Sequence, residues 1–161
     1  PDSETPLGTV AIALAVRKGA PKPDISTPEA LKKTLLAAKS VAFPDGARGA
    51  AAGVSFDQTL KTLGIAEEMK SKITRAQGGA LSMEMLSKGE VEIGLTFLSK
   101  IHDPGVEVVG ILPRGISEPT ALVGYVSAKA KSPEAAKALL KYLSGPEAAV
   151  VYRAIGMKAG K

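Results

Sequence analysis

The stretch FPDGARGAAAGVSFDQTLKTL, residues 43–63, decides how the rest of the chain is read. A short apolar strand (residues 40–43) runs into a loop holding Gly46, Gly49 and Gly53. Phe56, Leu60 and Leu63 follow, spaced i, i+4, i+7 on one helical face. Gly64 then stands where a helix C-terminus takes a left-handed residue. Around Ala51, Ala52 and Gly53 the side chains are small, and the first amides of a helix lack intrahelical partners. Such a helix start can hold an anion without any charged side chain, because free N–H groups and the helix dipole point at it. The same small residues also suit a helix packed close to a sheet, and the local sequence leaves both readings open.

Working outward from this stretch, strands and helices alternate. Residues 9–16 (TVAIALAV) are almost wholly apolar, as in a strand covered on both faces. Ser26-Thr27-Pro28-Glu29 has the hydroxyl, proline and early acid of a helix start, and Leu31, Leu35 and Ala38 form that helix's inner face. Residues 66–73 read as a short helical piece, with a brief strand at Ile73 and Thr74. Gln77-Gly78-Gly79 precedes a helix over 80–88 that stops at Gly89, and this double glycine is a second place for free N–H groups to face a ligand. Residues 91–97 form a strand with Val91, Ile93 and Leu95 on one face, and 106–112 and 120–128 are further strands. Ser132-Pro133-Glu134 starts a helix with Ala136, Leu139, Leu140 and Leu143 on its apolar side. Gly145-Pro146 starts another that ends at Gly156, and the tail GMKAGK reads as frayed. The alternation predicts an α/β protein with a largely parallel sheet.

Composition narrows the function classes. With 161 residues and 45% hydrophobic content the chain suits one compact unit or two small lobes. There is no Cys, so disulfides and thiolate metal sites are excluded. The net charge of +5 comes from scattered basic residues, with Lys32-Lys33 the only adjacent lysine pair, which argues against a nucleic-acid arm. No apolar run reaches membrane-spanning length, and no signal peptide is visible. Gly53-Val54-Ser55-Phe56-Asp57 fails the nucleophile-elbow pattern at its last position. No phosphate-binding P-loop occurs, and Gly46, Gly49 and Gly53 lack dinucleotide spacing. His102 is the only histidine and sits in a Pro-Gly turn, so neither a metal site nor a catalytic triad can be assembled. No catalytic residue, metal or cofactor is expected.

Several segments together resemble the bacterial periplasmic molybdate-binding proteins, the substrate-binding components of ABC importers with a type II periplasmic binding fold. They are residues 15–43 (AVRKGAPKPDISTPEALKKTLLAAKSVAF), 89–101 (GEVEIGLTFLSKI), 105–113 (GVEVVGILP) and 132–157 (SPEAAKALLKYLSGPEAAVVYRAIGM). The resemblance implies one complete α/β lobe plus a partial one. Residues 1–22 would be strand and connector of the incomplete first lobe, 23–103 the complete second lobe, and 104–161 the crossover strand and the elements returning to the first. The family pattern has a further N-terminal portion of the first lobe, with serine hydroxyls, ahead of residue 1. Without it, residues 9–16 and 120–128 would expose sheet edges and an apolar face, so a homodimer or domain-swapped assembly is expected.

The resemblance also implies a ligand-binding set of Ala51, Ala52, Gly53, Gly78, Gly79 and Phe97, with helix starts falling at Ala52 and near Gly79. The family's hydroxyl position, a tyrosine in some members, aligns with Phe97, which has no donor. Lys100 replaces a glutamate of many relatives, and either adds charge near the cleft or lies on the surface. The implied ligand is a small oxyanion, molybdate or tungstate. The implied partner is an ABC permease and the location periplasmic, without membrane insertion. The alternative is a self-associating module that keeps the fold and has lost its ligand.

Overall fold

The computed structural model describes residues 4–160, which fall into two compact units. Of these residues, one unit joins 4–10 to 119–160, and the other is Ala11–Glu118.

The larger unit is built on a five-stranded sheet in the order β4-β3-β5-β2-β6. Its strands are β2 (Ile12–Arg17), β3 (Val41–Pro44), β4 (Ile73–Ala76), β5 (Ile93–Phe97) and β6 (Val106–Ile111). Strand β3 runs parallel to β4 and β5, whereas β2 is antiparallel to both β5 and β6. The sheet is therefore mixed, not largely parallel as the alternation of elements suggested. Burial patterns report which faces are covered but carry no sign of strand direction.

Helices cover both faces. Helices α1 (Pro28–Ala37), α2 (Ala51–Thr62) and α3 (Ala66–Met69) pack on one side, and α4 (Gly79–Ser87) on the other. The α1 start is as its sequence promised: the Thr27 hydroxyl accepts from the Ala30 amide at 3.1 Å, and Leu31, Leu35 and Ala38 are buried. The main core gathers Leu14, Leu31, Leu35, Phe43, Phe56 and Leu95, with the Phe43 and Phe56 rings edge-to-face at 4.7 Å. Removing one such ring typically costs about 3–5 kcal/mol. Gly64 takes φ 68° after α2, the left-handed stop expected there. Alternate residues Ala15 and Ala42 point to the opposite face, where Met83 and Leu86 of α4 meet them.

The smaller unit has an antiparallel sheet in the order β7-β1-β8, from β1 (Thr5–Val10), β7 (Thr120–Gly124) and β8 (Lys158–Ala159), with helices α5 (Pro133–Leu143) and α6 (Pro146–Ala154). Two expectations change here. The apolar run 9–16 is not one strand: it breaks at Ala11 and feeds two different sheets. The tail that read as frayed supplies β8, held by the Gly160 amide donating to the Leu7 carbonyl at 2.9 Å.

The lobe boundaries drawn from the resemblance also shift. β2 and β6, expected outside the segment 23–103, pair within the larger unit's sheet. Residues 12–16 are thus buried in the middle of a sheet instead of forming an exposed edge. In the smaller unit, by contrast, no residue of α5 is buried, and Tyr125, Leu139, Tyr142, Val150 and Val151 are exposed.

Candidate functional site

The parallel pairing of β3 with β4 and β5 brings three strand ends to one edge of the larger unit's sheet. α2 follows from the first, α4 from the second, and Thr96 and Phe97 close the third. In open α/β sheets this carboxyl edge is where ligands bind.

After β3 the chain makes a tight turn. Asp45 caps it, its carboxylate accepting from the Ala47 amide at 3.1 Å, and Gly49 leaves the turn at φ 86°. α2 then starts with Ala50 as its cap, and no side chain caps it. Its first backbone bond runs from the Val54 amide to the Ala50 carbonyl at 3.1 Å, so the amides of Ala51, Ala52 and Gly53 precede the helical ladder. Ala51 is exposed, whereas Ala52 and Gly53 are buried. Gly53 is present for packing. A Cβ there would overlap the Pro44 carbonyl and the Gly46 amide and lie 2.9 Å from the Gly46 Cα. The two readings of the small residues therefore divide: bareness at Gly53 seats α2 on the turn, and the uncapped amides remain.

The second helix start lies beside the first. The Asp45 amide donates to the Ala76 carbonyl at 2.9 Å, tying the end of β3 to the end of β4. Gly78 adopts φ 102° and ψ 168°, a conformation reserved for glycine. Its amide is engaged by the Ala76 carbonyl at 2.9 Å, so Gly78 shapes the approach to α4 and is not a free donor. No side chain caps α4, and its ladder begins with Ser82 donating to the Gly78 carbonyl at 3.3 Å. The amides of Gly79, Ala80 and Leu81 precede that bond. Gly79 has no Cβ because one would overlap the Thr96 hydroxyl, with the Thr96 Cβ at 3.1 Å.

The side chains nearby are mostly committed elsewhere. Phe97 is half-buried and packs on the main core. Arg75 makes two bonds to Asp57, at 2.8 and 2.9 Å, lies 3.9 Å from Asp45, and places its guanidinium 5.1 Å from the Phe43 ring centroid. The bonds to Asp57 hold the Arg75 pKa above its ordinary value, and two carboxylates balance its charge. Lys100 is exposed at the end of a single turn (Leu98–Lys100). His102 is exposed, with its Nε2 2.7 Å from the Ser99 carbonyl. Among the described residues no three His, Cys, Asp or Glu side chains are grouped to hold a metal, and no helix is long and apolar enough to cross a membrane.

Sequence reasoning passed over Thr96. The alternation placing Val91, Ile93 and Leu95 on one face puts Thr96 on the other, under α4, and a glycine opening that helix was the accompanying signal.

Comparison with known proteins agrees with this architecture. The family of bacterial extracellular solute-binding proteins matches residues 1–158. The chain is 36% identical over 162 residues to an aconitate isomerase from a Pseudomonas species, across 98% of this chain and 59% of that protein. It is 33% identical over 129 residues to the molybdate-binding protein ModA of Azotobacter vinelandii, across 78% of this chain and 50% of that protein. It thus spans only part of the length of the curated relatives it matches. The solved substrate-binding domain of a putative molybdenum ABC transporter from Clostridium difficile superposes with a TM-score of 0.78 at 19% identity, over 99% of this chain and 68% of that one. That likeness shows the type II periplasmic binding fold. Matched over nearly its whole length, the chain belongs to the family of bacterial extracellular solute-binding proteins, as its resemblance to the molybdate-binding members implied.

Proposed function

We propose that this chain is the solute-binding component of a molybdate-type ABC import system. It works in the periplasm, delivers its solute to an ABC permease, and holds a tetrahedral oxyanion without catalysis. The observation carrying this reading is the pair of uncapped helix starts at the ends of adjacent parallel strands. The amides of Ala51, Ala52 and Gly53 on α2 and of Gly79 on α4 are its donors, with Gly78 setting the turn and Phe97 bordering the edge. Amide donors suit an anion that is fully charged at neutral pH, because they add no proton for the anion to take.

A second reading is favoured by the 36% identity to the aconitate isomerase. A carboxylate also fits uncapped amides, so an organic polycarboxylate could occupy the same edge. An isomerase that shifts a proton along a carbon chain needs a base, and the carboxylate of the turn before α2 is engaged in local contacts. Asp45 already accepts from the Ala47 amide and lies 3.6 Å from Arg48.

Thermal melting with molybdate, tungstate, sulfate, phosphate and cis- and trans-aconitate, at matched ionic strength, separates the readings. A ligand that prefers the native state raises the melting temperature by mass action. A rise with molybdate or tungstate supports the oxyanion reading, and a rise with aconitate alone, with interconversion of its isomers by NMR, replaces it. No rise with any of these anions contradicts both.

The exposed apolar side chains of the smaller unit, Tyr125, Leu139, Tyr142, Val150 and Val151, favour self-association of this chain through that unit. Sedimentation equilibrium checks it: a monomer at high concentration contradicts self-association and leaves the oxyanion reading untouched.

A further inference from the structure

Thr96 lies on β5, on the face that α4 covers, and is only 2% exposed. Its hydroxyl makes no hydrogen bond with any described residue, yet no described side-chain oxygen is both sealed from solvent and unpartnered. The Thr96 Oγ1 therefore keeps a narrow opening despite the burial of its residue. A hydroxyl that reaches solvent through such an opening is satisfied by water, or by a ligand that displaces the water.

The location of this hydroxyl gives it a use. It stands where the Cβ of Gly79, the first residue of α4, would otherwise be, so it borders the uncapped amides of that helix start. Phe97, one position on, offers no donor, whereas Thr96 does.

The geometry points to Thr96 Oγ1 as the side-chain donor of the anion site, completing the set of backbone amides at the α4 start. This inference rests on the oxyanion reading above. The hydroxyl rotor turns its proton toward a bound anionic oxygen, while the amides of Gly79 and Ala80 approach from the helix side. Gly79 is then required to admit the hydroxyl, since any Cβ there would displace it. Any oxyanion with a free oxygen of suitable reach accepts this bond, so Thr96 sets affinity more than the choice of element.

The test is calorimetric titration of the whole chain with molybdate, tungstate, sulfate and phosphate. It compares the wild type with Thr96→Val, which keeps the shape and removes the hydroxyl, and Thr96→Ser, which keeps the hydroxyl. A hydrogen bond to a charged partner predicts that Thr96→Val weakens the tightest-binding anion by about tenfold or more, and that Thr96→Ser stays within about threefold of wild type. If the wild type binds and Thr96→Val binds equally well, the role of Thr96 is overturned and the oxyanion reading survives. If the wild type binds none of the four anions, both fall together. Should Thr96→Val fold poorly, the Thr96 methyl resonance of the wild type decides. It shifts saturably during titration if Thr96 lines the site, and a fixed resonance alongside measured binding overturns the inference.

Discussion

Gly53→Ala sets two physical effects against each other. In a helix interior, alanine is favoured over glycine by up to about 1 kcal/mol, so on propensity alone the substitution stabilises α2. Packing says the opposite. The new Cβ would stand 2.9 Å from the Gly46 Cα, about 0.5 Å inside the 3.4 Å at which ordinary contact begins, and would overlap the Pro44 carbonyl and the Gly46 amide more severely. All of these are backbone atoms, so no side chain can rotate away. Overpacking of this kind costs roughly 1–3 kcal/mol, and a backbone clash belongs at the upper end. The expected net result is destabilisation of about 1–2 kcal/mol. For a unit of this size that lowers the melting temperature by roughly 5–15 °C. Urea unfolding followed by circular dichroism gives the number, and hydrogen exchange at the Phe56 and Leu60 amides assigns it to the unit holding α2. A Gly53→Ala variant as stable as wild type or more so would refute the claim that α2 is seated on the turn through a bare Cα.

Gly78→Ala should cost about 1–3 kcal/mol, because φ 102° with ψ 168° is strained for any residue with a Cβ; unchanged urea stability would contradict it. Asp57→Ala should cost no more than about 1 kcal/mol, since the Arg75–Asp57 pair is partly exposed and screened; a double-mutant cycle with Arg75→Ala giving more than twice that would show that screening has been overestimated. The Asp24 carboxyl is held below its ordinary value of 3.8 by the Ser26 hydroxyl at 2.6 Å and the Ser26 amide at 2.9 Å. Because its folded pKa is depressed, its stabilising contribution is fully present above 3.8 and is lost as pH falls through the folded value. An NMR titration should find a midpoint below 3.8 that rises in Ser26→Ala; a wild-type midpoint at or above 3.8 would contradict the bond.

Much of the larger unit was legible because its signals are local. Thr27 and Pro28 mark the α1 start, Leu31 and Leu35 its buried stripe, and Gly64 the α2 stop, each fixed by a few neighbouring residues. The two helix starts were legible for the same reason: small residues and a double glycine precede apolar stripes. What the sequence hid was non-local. The run TVAIALAV is apolar throughout, so nothing in it marks that Val10 and Ile12 belong to different sheets. The pairing of β8 with β1 joins residues near opposite ends of the chain, and two residues carry no periodicity. The direction of β2 against β5 is a matter of topology, which burial patterns do not encode. Around the two helix starts, Thr96 carries no local signal of its own. Its significance depends on Gly79, a contact across 17 positions that no local pattern reveals.

The central claim is that two helix starts at one sheet edge together hold an oxyanion. The most direct measurement is a ¹⁵N amide titration of the chain with molybdate, repeated with tungstate and sulfate. The account predicts saturable shifts concentrated at the Ala51, Ala52, Gly53, Gly79 and Ala80 amides, with one dissociation constant shared by both helix starts. Saturable shifts elsewhere on the chain, shifts at one helix start only, or none with any of the three anions would contradict it.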